Sequence, residues 1–275
     1  MSRRLSFHEP QQNIAWQKQL RDQYVSEGAP PVDLDIKTAI VRPVGRHLAE
    51  QIILKYEWLG TMSLTRWHYG IFFGSYCAGV TCVGGSDVTG GVNNHLFYRV
   101  DRRELLILAR GACVHWAPPG TNSKLVSWTC RMVAKASHAK VIIAYADTDA
   151  GEIGTIYQAC NWIYIGRGSS TRQWIAPNGR VYDQKYPSNL RTRDGKKLPR
   201  QLYVQEMKRL GWREQESNPK HRYAFILDRS DKALADHMAA LRQPYPKRGR
   251  GETDNAPHSN EELGGASPTR PLQVV

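Results

Sequence analysis

Long apolar runs are missing from this sequence of 275 residues. No uninterrupted run approaches the roughly 18 residues that a membrane-spanning helix needs, and the opening MSRRLSFHEPQQN has no apolar signal core. Cysteine is also scarce: the five are odd in number and scattered, without a CxxC pair, which argues against a disulfide framework or a structural zinc site. We therefore expect a globular, cytoplasmic protein with no membrane partner.

Acidic residues are few relative to basic ones. The chain has 38 Lys and Arg against 25 Asp and Glu, a net charge of +13. Residues 185–222 alone hold eleven Lys and Arg and four acids. Such an excess favours a polyanionic partner, and we expect a nucleic acid rather than a membrane, although a merely solvated basic face is the alternative. The candidate DNA-binding residues are Arg191, Arg193, Lys196, Lys197, Arg200, Lys220 and Arg222.

Aromatic residues are interleaved with this basic segment, and aromatic rings can stack on bases or fill the gap in an opened duplex. They strengthen the prediction of a nucleic-acid partner. The six are Trp174, Tyr182, Tyr186, Tyr203, Trp212 and Tyr223.

The distribution of apolar residues predicts one principal domain with two tails. Residues 1–34 read as a polar N-terminal extension, and 35–242 as a single catalytic domain. Within that domain, 169–221 form a basic insertion that contacts DNA. Residues 243–275 are rich in Pro, Gly, Asn and Ser, which predicts a disordered tail.

Hydrophobic periodicity predicts an α/β (α+β) fold with a mixed central sheet flanked by helices. The insertion should contain a hairpin with its turn at Asn178-Gly179 and a helix over QLYVQEMKRLGW. In the rest of the domain we predict strands at 35–44, 66–73, 76–83, 104–114, 140–147, 162–167 and 222–228, and helices at 45–58, 121–137 and 151–162.

The stretch 105–168 places two strand-to-helix junctions in succession, the arrangement in which α/β proteins seat phosphorylated ligands. After the first strand, Pro118-Pro119-Gly120 forces a turn before a helix. We predict an apolar stripe on that helix through Leu125, Trp128 and Met132. The second strand ends at Asp147, where such sheets place their ligands.

The order of these elements resembles the GNAT acyltransferase fold. IYQACNWIYIGRG is similar to the closing pattern of that family and puts Tyr157 at the position of its helix tyrosine. The turn APPGTNS matches the coenzyme-binding loop in position, although it lacks the usual Arg/Gln-x-x-Gly-x-Gly/Ala. The resemblance implies cofactor contacts from Ala117, Gly120, Thr121, Asn122 and Ser123.

A closer resemblance, over roughly 35–228, is to the Mom family of phage DNA-modification proteins. YEWLG at 56–60, SWTCRM, YADTDAGEIGTIYQACNW and KHRYAFIL carry it. It implies a phage- or prophage-encoded enzyme that converts the exocyclic amine of adenine in DNA to a carbamoylmethyl (acetamido) form and so protects DNA from restriction endonucleases. It also implies double-stranded DNA as the partner, acetyl-CoA or a related donor, and a bound iron ion, to which the family has been linked. Acetyl transfer alone does not give a carbamoylmethyl group.

Four residues are candidates for the chemistry: Tyr56, Ser127, Asp147 and Tyr157. Asp147 could accept a proton, and Tyr157 could protonate a leaving thiolate. Tyr56 and Asp147 could together hold iron. Each also has an ordinary structural reading: a packed tyrosine for Tyr56 and Tyr157, a loop hydrogen bond for Asp147, and a bond to its own backbone for Ser127.

Two other functions remain open on the sequence. One is an ordinary GNAT N-acetyltransferase of a small-molecule or protein amine, which would act without DNA. The other is a non-catalytic DNA-binding protein that uses the basic insertion alone.

Overall fold

A computed structural model describes residues 28–30, 32–57, 62–85, 100–149, 151–179, 181–184, 187, 190, 192, 195–197 and 199–247. The predictions for most of the N-terminal extension and for the tail beyond 247 lie outside these residues. The chain divides into two compact units. The larger holds the described part of Gln11–Ser169 together with Pro219–Lys247, and the smaller holds Ser170–Asn218.

The larger unit is built on a seven-stranded mixed sheet with the order β1-β2-β3-β4-β5-β10-β6. Its strands are β1 Ile40–Pro43, β2 Trp67–Phe73, β3 Tyr76–Gly85, β4 Leu105–Cys113, β5 Val141–Ala146, β6 Ile163–Arg167 and β10 His221–Ile226. Its helices are α1 Arg46–Tyr56, α2 Thr121–Ala136, α3 Thr155–Ala159 and α5 Lys232–Ala240. β4 and β5 pair in parallel, and the other neighbouring strands pair antiparallel.

Helices cover both faces of this sheet. Along β5, Ile142 and Ala144 belong to the cluster that includes α1 and α2, whereas Val141 and Ile143 belong to the cluster that includes α5. Because successive side chains of a strand point to opposite faces, these two clusters lie on opposite sides of the sheet. The predicted fold class, a mixed central sheet flanked by helices, is confirmed.

The parallel pairing of β4 with β5 is short. It joins Leu105–Ile107 to Val141–Ile143. β4 then continues to Cys113, and β5 continues to Ala146 without pairing to it. β5 remains bonded to β10 on its other side along its whole length. The two strands therefore separate at their carboxyl ends and leave a gap in the sheet.

The first strand is shorter than predicted. β1 begins at Ile40, and the residues before it form a turn. The side chain of Asp33 accepts a hydrogen bond from the backbone N–H of Asp35, and Asp35 accepts one from Lys37. These side-chain bonds take the place of the strand ladder, which is how aspartate favours turns over strands.

Three further differences concern elements late in the chain. The predicted helix at 151–162 is only α3, because Gly151 and Gly154 hold left-handed φ angles of 72° before it. α5 was not predicted. It begins at the cap in which Asp231 accepts from the N–H of Leu234. Gln243 donates its N–H to the carbonyl of Tyr164, so residue 243 contacts the core and any tail begins later.

The smaller unit has its own three-stranded antiparallel sheet, ordered β8-β7-β9. Trp174, Tyr203 and Met207 are fully buried there. The predicted hairpin and helix are present, and β9 was not predicted. Its elements are β7 Arg172–Ile175, β8 Val181–Asp183, α4 Arg200–Arg209 and β9 Arg213–Glu216. This unit corresponds closely to the segment 169–221 that the sequence marked as an insertion.

We predict that Gly154→Ala strongly destabilises the larger unit. A Cβ at residue 154 would overlap the ring of Tyr223, and the residue would also be held at a φ of 72°. The expected loss is about 3 kcal/mol or more in chemical unfolding. Gly120→Ala is the matched control, because φ there is 86° but the nearest atom is 3.9 Å away. It should cost only about 1–2 kcal/mol, and equal losses would contradict the steric argument.

Candidate active site

A pocket of about 520 Å³ opens in the larger unit where β4 and β5 separate. One wall consists of residues of β4 and the residue directly after it: Leu108, Gly111, Ala112, Cys113 and Val114. Ala146, the last residue of β5, also lines the pocket. The turn before α2 and the loop before α3 complete the lining. The volume is in the range that small ligands occupy in proteins.

The turn before α2 is shaped by Gly120, whose φ of 86° is accessible to glycine. The carbonyl of Pro118 accepts from the N–H of Thr121, and the carbonyl of Gly120 accepts from that of Lys124. Among the described residues, no acceptor takes the N–H groups of Asn122 and Ser123. The first turn of α2 also contains no acid. An anion at this turn would therefore meet free N–H donors and the positive end of the helix dipole.

Glu152 lines the pocket and was not predicted from the sequence. Its Oε2 accepts a hydrogen bond of 2.9 Å from the N–H of Asp147, while Oε1 has no hydrogen-bond partner among the described residues. Burial raises the pKa of this carboxyl above its ordinary value, although the hydrogen bond from the N–H of Asp147 lowers it in part. The site thus contains an enclosed carboxylate with one oxygen available to a ligand.

Tyr157 also lines the pocket, as α3 carries it there. Its ring packs 5.1 Å from that of Trp162 and 5.2 Å from that of Tyr223. Burial, followed by the charge of Glu152, raises the pKa of its hydroxyl well above the usual range. The phenol therefore stays protonated at neutral pH and is suited to donate a hydrogen bond or a proton.

Tyr56 reaches the pocket from the end of α1. Its hydroxyl lies 3.1 Å from Nδ1 of His115, and Nε2 of the same ring lies 3.0 Å from the carbonyl oxygen of Gly28. Because a carbonyl only accepts, Nε2 carries a proton, and in the neutral imidazole Nδ1 accepts from Tyr56. Tyr56 is thus oriented by His115, a contact that no local pattern in the sequence predicts.

Comparisons with known proteins agree with the resemblance seen in the sequence. Residues 38–247 match the model of the Mom protein family. This chain belongs to the Mom protein family. No curated protein matches it.

Several solved structures are similar to this Mom family chain at low identity. An N-acyl amino acid synthase from uncultured soil microbes is 13% identical, with a TM-score of 0.38 over 69% of this chain and 91% of that one. A putative acetyltransferase from Salmonella typhimurium, determined with its cofactor acetyl-CoA, is 11% identical, with a TM-score of 0.36 over 70% and 95%. The ribosomal-protein-S18-alanine N-acetyltransferase from Escherichia coli is 8% identical, with a TM-score of 0.36 over 69% and 94%.

The predicted site residues of the chain fall into two groups. Six of them line the pocket: Tyr56, Ala117, Gly120, Thr121, Asn122 and Tyr157. Ser123 follows Asn122 in the first turn of α2 but does not line the pocket, and its carbonyl accepts from the thiol of Cys160. Ser127 and Asp147 do not line the pocket either. The hydroxyl of Ser127 is 3.5 Å from Sγ of Cys160 on α3.

Asp147 follows β5 as predicted and is 7% exposed. One carboxylate oxygen accepts from the N–H of Asp149, and the other lies 2.5 Å from Nζ of Lys220. These are the contacts of a residue that fixes its loop. Asp147 also donates its N–H to Glu152 and so acts on the pocket through that side chain.

An iron site built on Tyr56 and Asp147 does not fit these contacts. The carboxylate of Asp147 is paired with the cation Lys220, and Tyr56 is bonded to His115. Within the described ranges, no three His, Cys, Asp or Glu side chains gather into a group that could hold a metal ion.

The predicted DNA-binding residues are not equivalent. Arg191 and Arg193 lie outside the described residues. In the smaller unit, Lys196, Lys197 and Arg200 are exposed. In the larger unit, Lys220 pairs with Asp147 and Arg222 is half-buried in β10, where it donates to the carbonyl of Ile165.

Of the interleaved aromatic residues, three are unavailable for stacking. Trp174 and Tyr203 are buried in the smaller unit, and Tyr223 is buried in the larger one. Tyr182 and Trp212 pack on each other with ring centres 5.1 Å apart. Tyr186 lies outside the described residues. Among the other five, the interleaving seen in the sequence is mostly core packing. Among the described helices, none is long and apolar enough to cross a bilayer.

We predict that Glu152→Gln changes how stability depends on pH. Because burial raises the pKa of this carboxyl in the folded state, the wild-type protein should lose stability as pH rises from the ordinary value for Glu through the raised one. The variant should not show this loss. Chemical unfolding from about pH 4 to about pH 8 measures the difference. Asp236→Asn, at an exposed position of α5, should leave the wild-type pH dependence in place.

Proposed function

We propose that this Mom family protein modifies the exocyclic amine of adenine in DNA, giving the carbamoylmethyl form, and thereby protects DNA from restriction endonucleases. The family match over 38–247 supports the reaction class. The observation that carries the proposal is the pocket where β4 and β5 separate, because it joins an anion-binding turn to an enclosed acceptor and a protonated phenol.

The turn before α2 fits the phosphate end of an acyl-CoA or related donor. The N–H groups of Asn122 and Ser123 and the absence of an acid in the first turn favour a phosphate there. When bound, such a donor would supply an activated two-carbon unit. Gly120 keeps the turn free of a Cβ, and Thr121 holds it by donating its hydroxyl to the carbonyl of Pro118 at 2.6 Å.

The opposite side of the pocket supplies the groups that adenine chemistry needs. An amine conjugated into a purine is a poor nucleophile, so proton removal must accompany its attack. Glu152 Oε1 is the acceptor for that proton. As the amine nitrogen bonds to the donor carbon, the bond from that carbon to its leaving group breaks, and the hydroxyl of Tyr157 supplies the proton that the leaving group takes up. For the carbamoylmethyl product, this carbon is the methylene of a –CH2–C(O)NH2 unit, so the donor must already carry the amide. Burial raises the pKa of both groups: it keeps the phenol of Tyr157 protonated, and it makes the ionised form of Glu152 a stronger proton acceptor than an exposed glutamate.

The structure of the modified adenine would distinguish acetyl transfer from carbamoylmethyl transfer. Transfer of an acetyl group to the amine would form a bond between nitrogen and a carbonyl carbon. The carbamoylmethyl product instead has nitrogen bonded to a methylene carbon and ends in an amide. The two products differ in mass by one NH group, so a single measurement distinguishes them.

We predict that plasmid DNA from a host expressing this protein contains a heavier deoxyadenosine and resists restriction enzymes that cut at adenine-containing sites. Nucleoside mass spectrometry of digested DNA is the measurement. An acetyl adduct in place of the carbamoylmethyl one would correct the donor chemistry. Unmodified DNA from a host with abundant soluble protein would contradict the proposal. Acetyl transfer to small amines in the absence of DNA would favour an ordinary acetyltransferase instead.

Single substitutions in the pocket should lower the rate while leaving DNA binding intact. Tyr157→Phe removes the proton donor and Glu152→Gln the acceptor, and each should reduce the initial rate of modification roughly 100-fold. Tyr76→Phe, at an exposed tyrosine on β3, is the control and should keep the wild-type rate. If both pocket variants modify DNA normally, Glu152 and Tyr157 have no chemical role.

The smaller unit should contribute DNA affinity through exposed cations. Changing both Lys196 and Lys197 to Gln removes two charges that lie at the surface. The slope of log affinity for duplex DNA against log salt should become shallower by about 2. Anisotropy titrations at several salt concentrations measure the slope. An unchanged slope would contradict a phosphate contact by these lysines.

A further inference from the structure

The outer face of α2 differs from an ordinary solvated helix surface. The helix carries three cations and no acid over 16 residues. Leu125, Val126 and Val133 are buried, but Trp128 is 42% exposed. The sequence had placed Trp128 on the buried stripe, and the structure shows this prediction to be wrong. The aromatic ring of Trp128 is thus exposed on a helix whose leucine and valine side chains are buried.

Trp128 shares its face with two of the three cations. Arg131 follows it by three residues and Lys135 by seven, so all three lie on the same side of the helix. All three are exposed. The guanidinium carbon of Arg131 lies 5.4 Å from the centre of the Trp128 ring, a cation–π distance that helps to hold the ring in place. The third cation, Lys124, is engaged elsewhere and donates to the carbonyl of Ile36.

This face continues from the pocket. α2 begins at Thr121, which lines the pocket, and Trp128 is seven residues further along the helix. At the rise of an α-helix this is about 10 Å along the axis. This distance is short enough for nucleotides that flank a base in the pocket to reach the ring and the two cations.

We propose that the face of α2 formed by Trp128, Arg131 and Lys135 binds an unpaired stretch of the DNA strand that adjoins the target adenine. This inference rests on the proposed function. A base must leave the duplex to enter an enclosed pocket, and its neighbours then lose part of their stacking. Trp128 stacks on one of these bases, while Arg131 and Lys135 contact phosphates.

The chemistry of the face favours a nucleic acid over a protein partner. A stable protein interface needs a cluster of apolar side chains at its centre, whereas α2 exposes one large apolar ring between cations. An aromatic ring beside positive charges without acids is the pattern of surfaces that bind single strands.

The experiment uses the full chain and two fluorescein-labelled probes: a single-stranded oligonucleotide with one adenine and a fully paired duplex. Trp128→Ala should weaken binding of the single strand roughly fivefold to tenfold and affect the duplex less. Trp128→Phe, which keeps a ring, should restore most of that loss. Arg131→Gln should make the salt dependence of single-strand binding shallower by about 0.7.

Two controls match these changes elsewhere in the larger unit. Tyr76→Ala removes an aromatic ring that is 44% exposed on β3, and Lys232→Gln removes an exposed charge on α5. Both should bind the single strand as the wild-type protein does. If Trp128→Ala binds both probes with wild-type affinity, or loses the same factor on each, the stacking role is overturned.

The outcomes also separate this inference from the proposed function. If the wild-type protein modifies adenine in the host but the α2 variants bind DNA unchanged, only the inference about α2 fails. If the wild-type protein binds neither probe and leaves DNA unmodified, both fail.

Discussion

The site depends on the separation of two strands. β4 and β5 pair over three residues each and then part, while β10 keeps β5 in the sheet from its other side. The carboxyl ends of adjacent parallel strands bring the turn before α2 and the loop before α3 to the same edge. The gap between the strands lets both reach one pocket. A continuous parallel ladder to Cys113 would fill this space with backbone hydrogen bonds.

Local patterns predicted much of this arrangement. The run VIIAYA and the turn before α2 identified β5, α2 and the candidate donor site, because buried strands and helix starts are encoded within a few residues. Non-local features were missed. β10 inserts between β5 and β6 from more than fifty residues away, and Glu152 enters the pocket only because Gly151 and Gly154 turn the loop. Neither a pairing partner nor a loop direction is visible in periodicity.

Residues with equal sequence signals have different roles in the structure. Asp147 and Glu152 are both acids after β5, yet Asp147 is neutralised by Lys220 while Glu152 keeps an open oxygen in the pocket. Trp128 and Trp174 illustrate the same point for aromatic rings, since one is exposed on a basic helix and the other is in a core. The type of residue gives the chemistry that is available, but only burial and partners decide whether it is used.

The wall that carries Tyr157 is fixed by a distant part of the chain. The hydroxyl of Tyr223 on β10 donates to the carbonyl of Ile153, and Gln158 donates to that hydroxyl and to the carbonyl of Pro246. Gly154 admits the ring of Tyr223 because it has no side chain. The loop that carries Glu152 and the helix that carries Tyr157 are therefore held by β10, which lies between β5 and β6, and by residues after α5. The geometry of the pocket consequently depends on the packing of residues late in the chain. These contacts explain how a short helix preceded by two glycines can hold the side chains of Glu152 and Tyr157 in place.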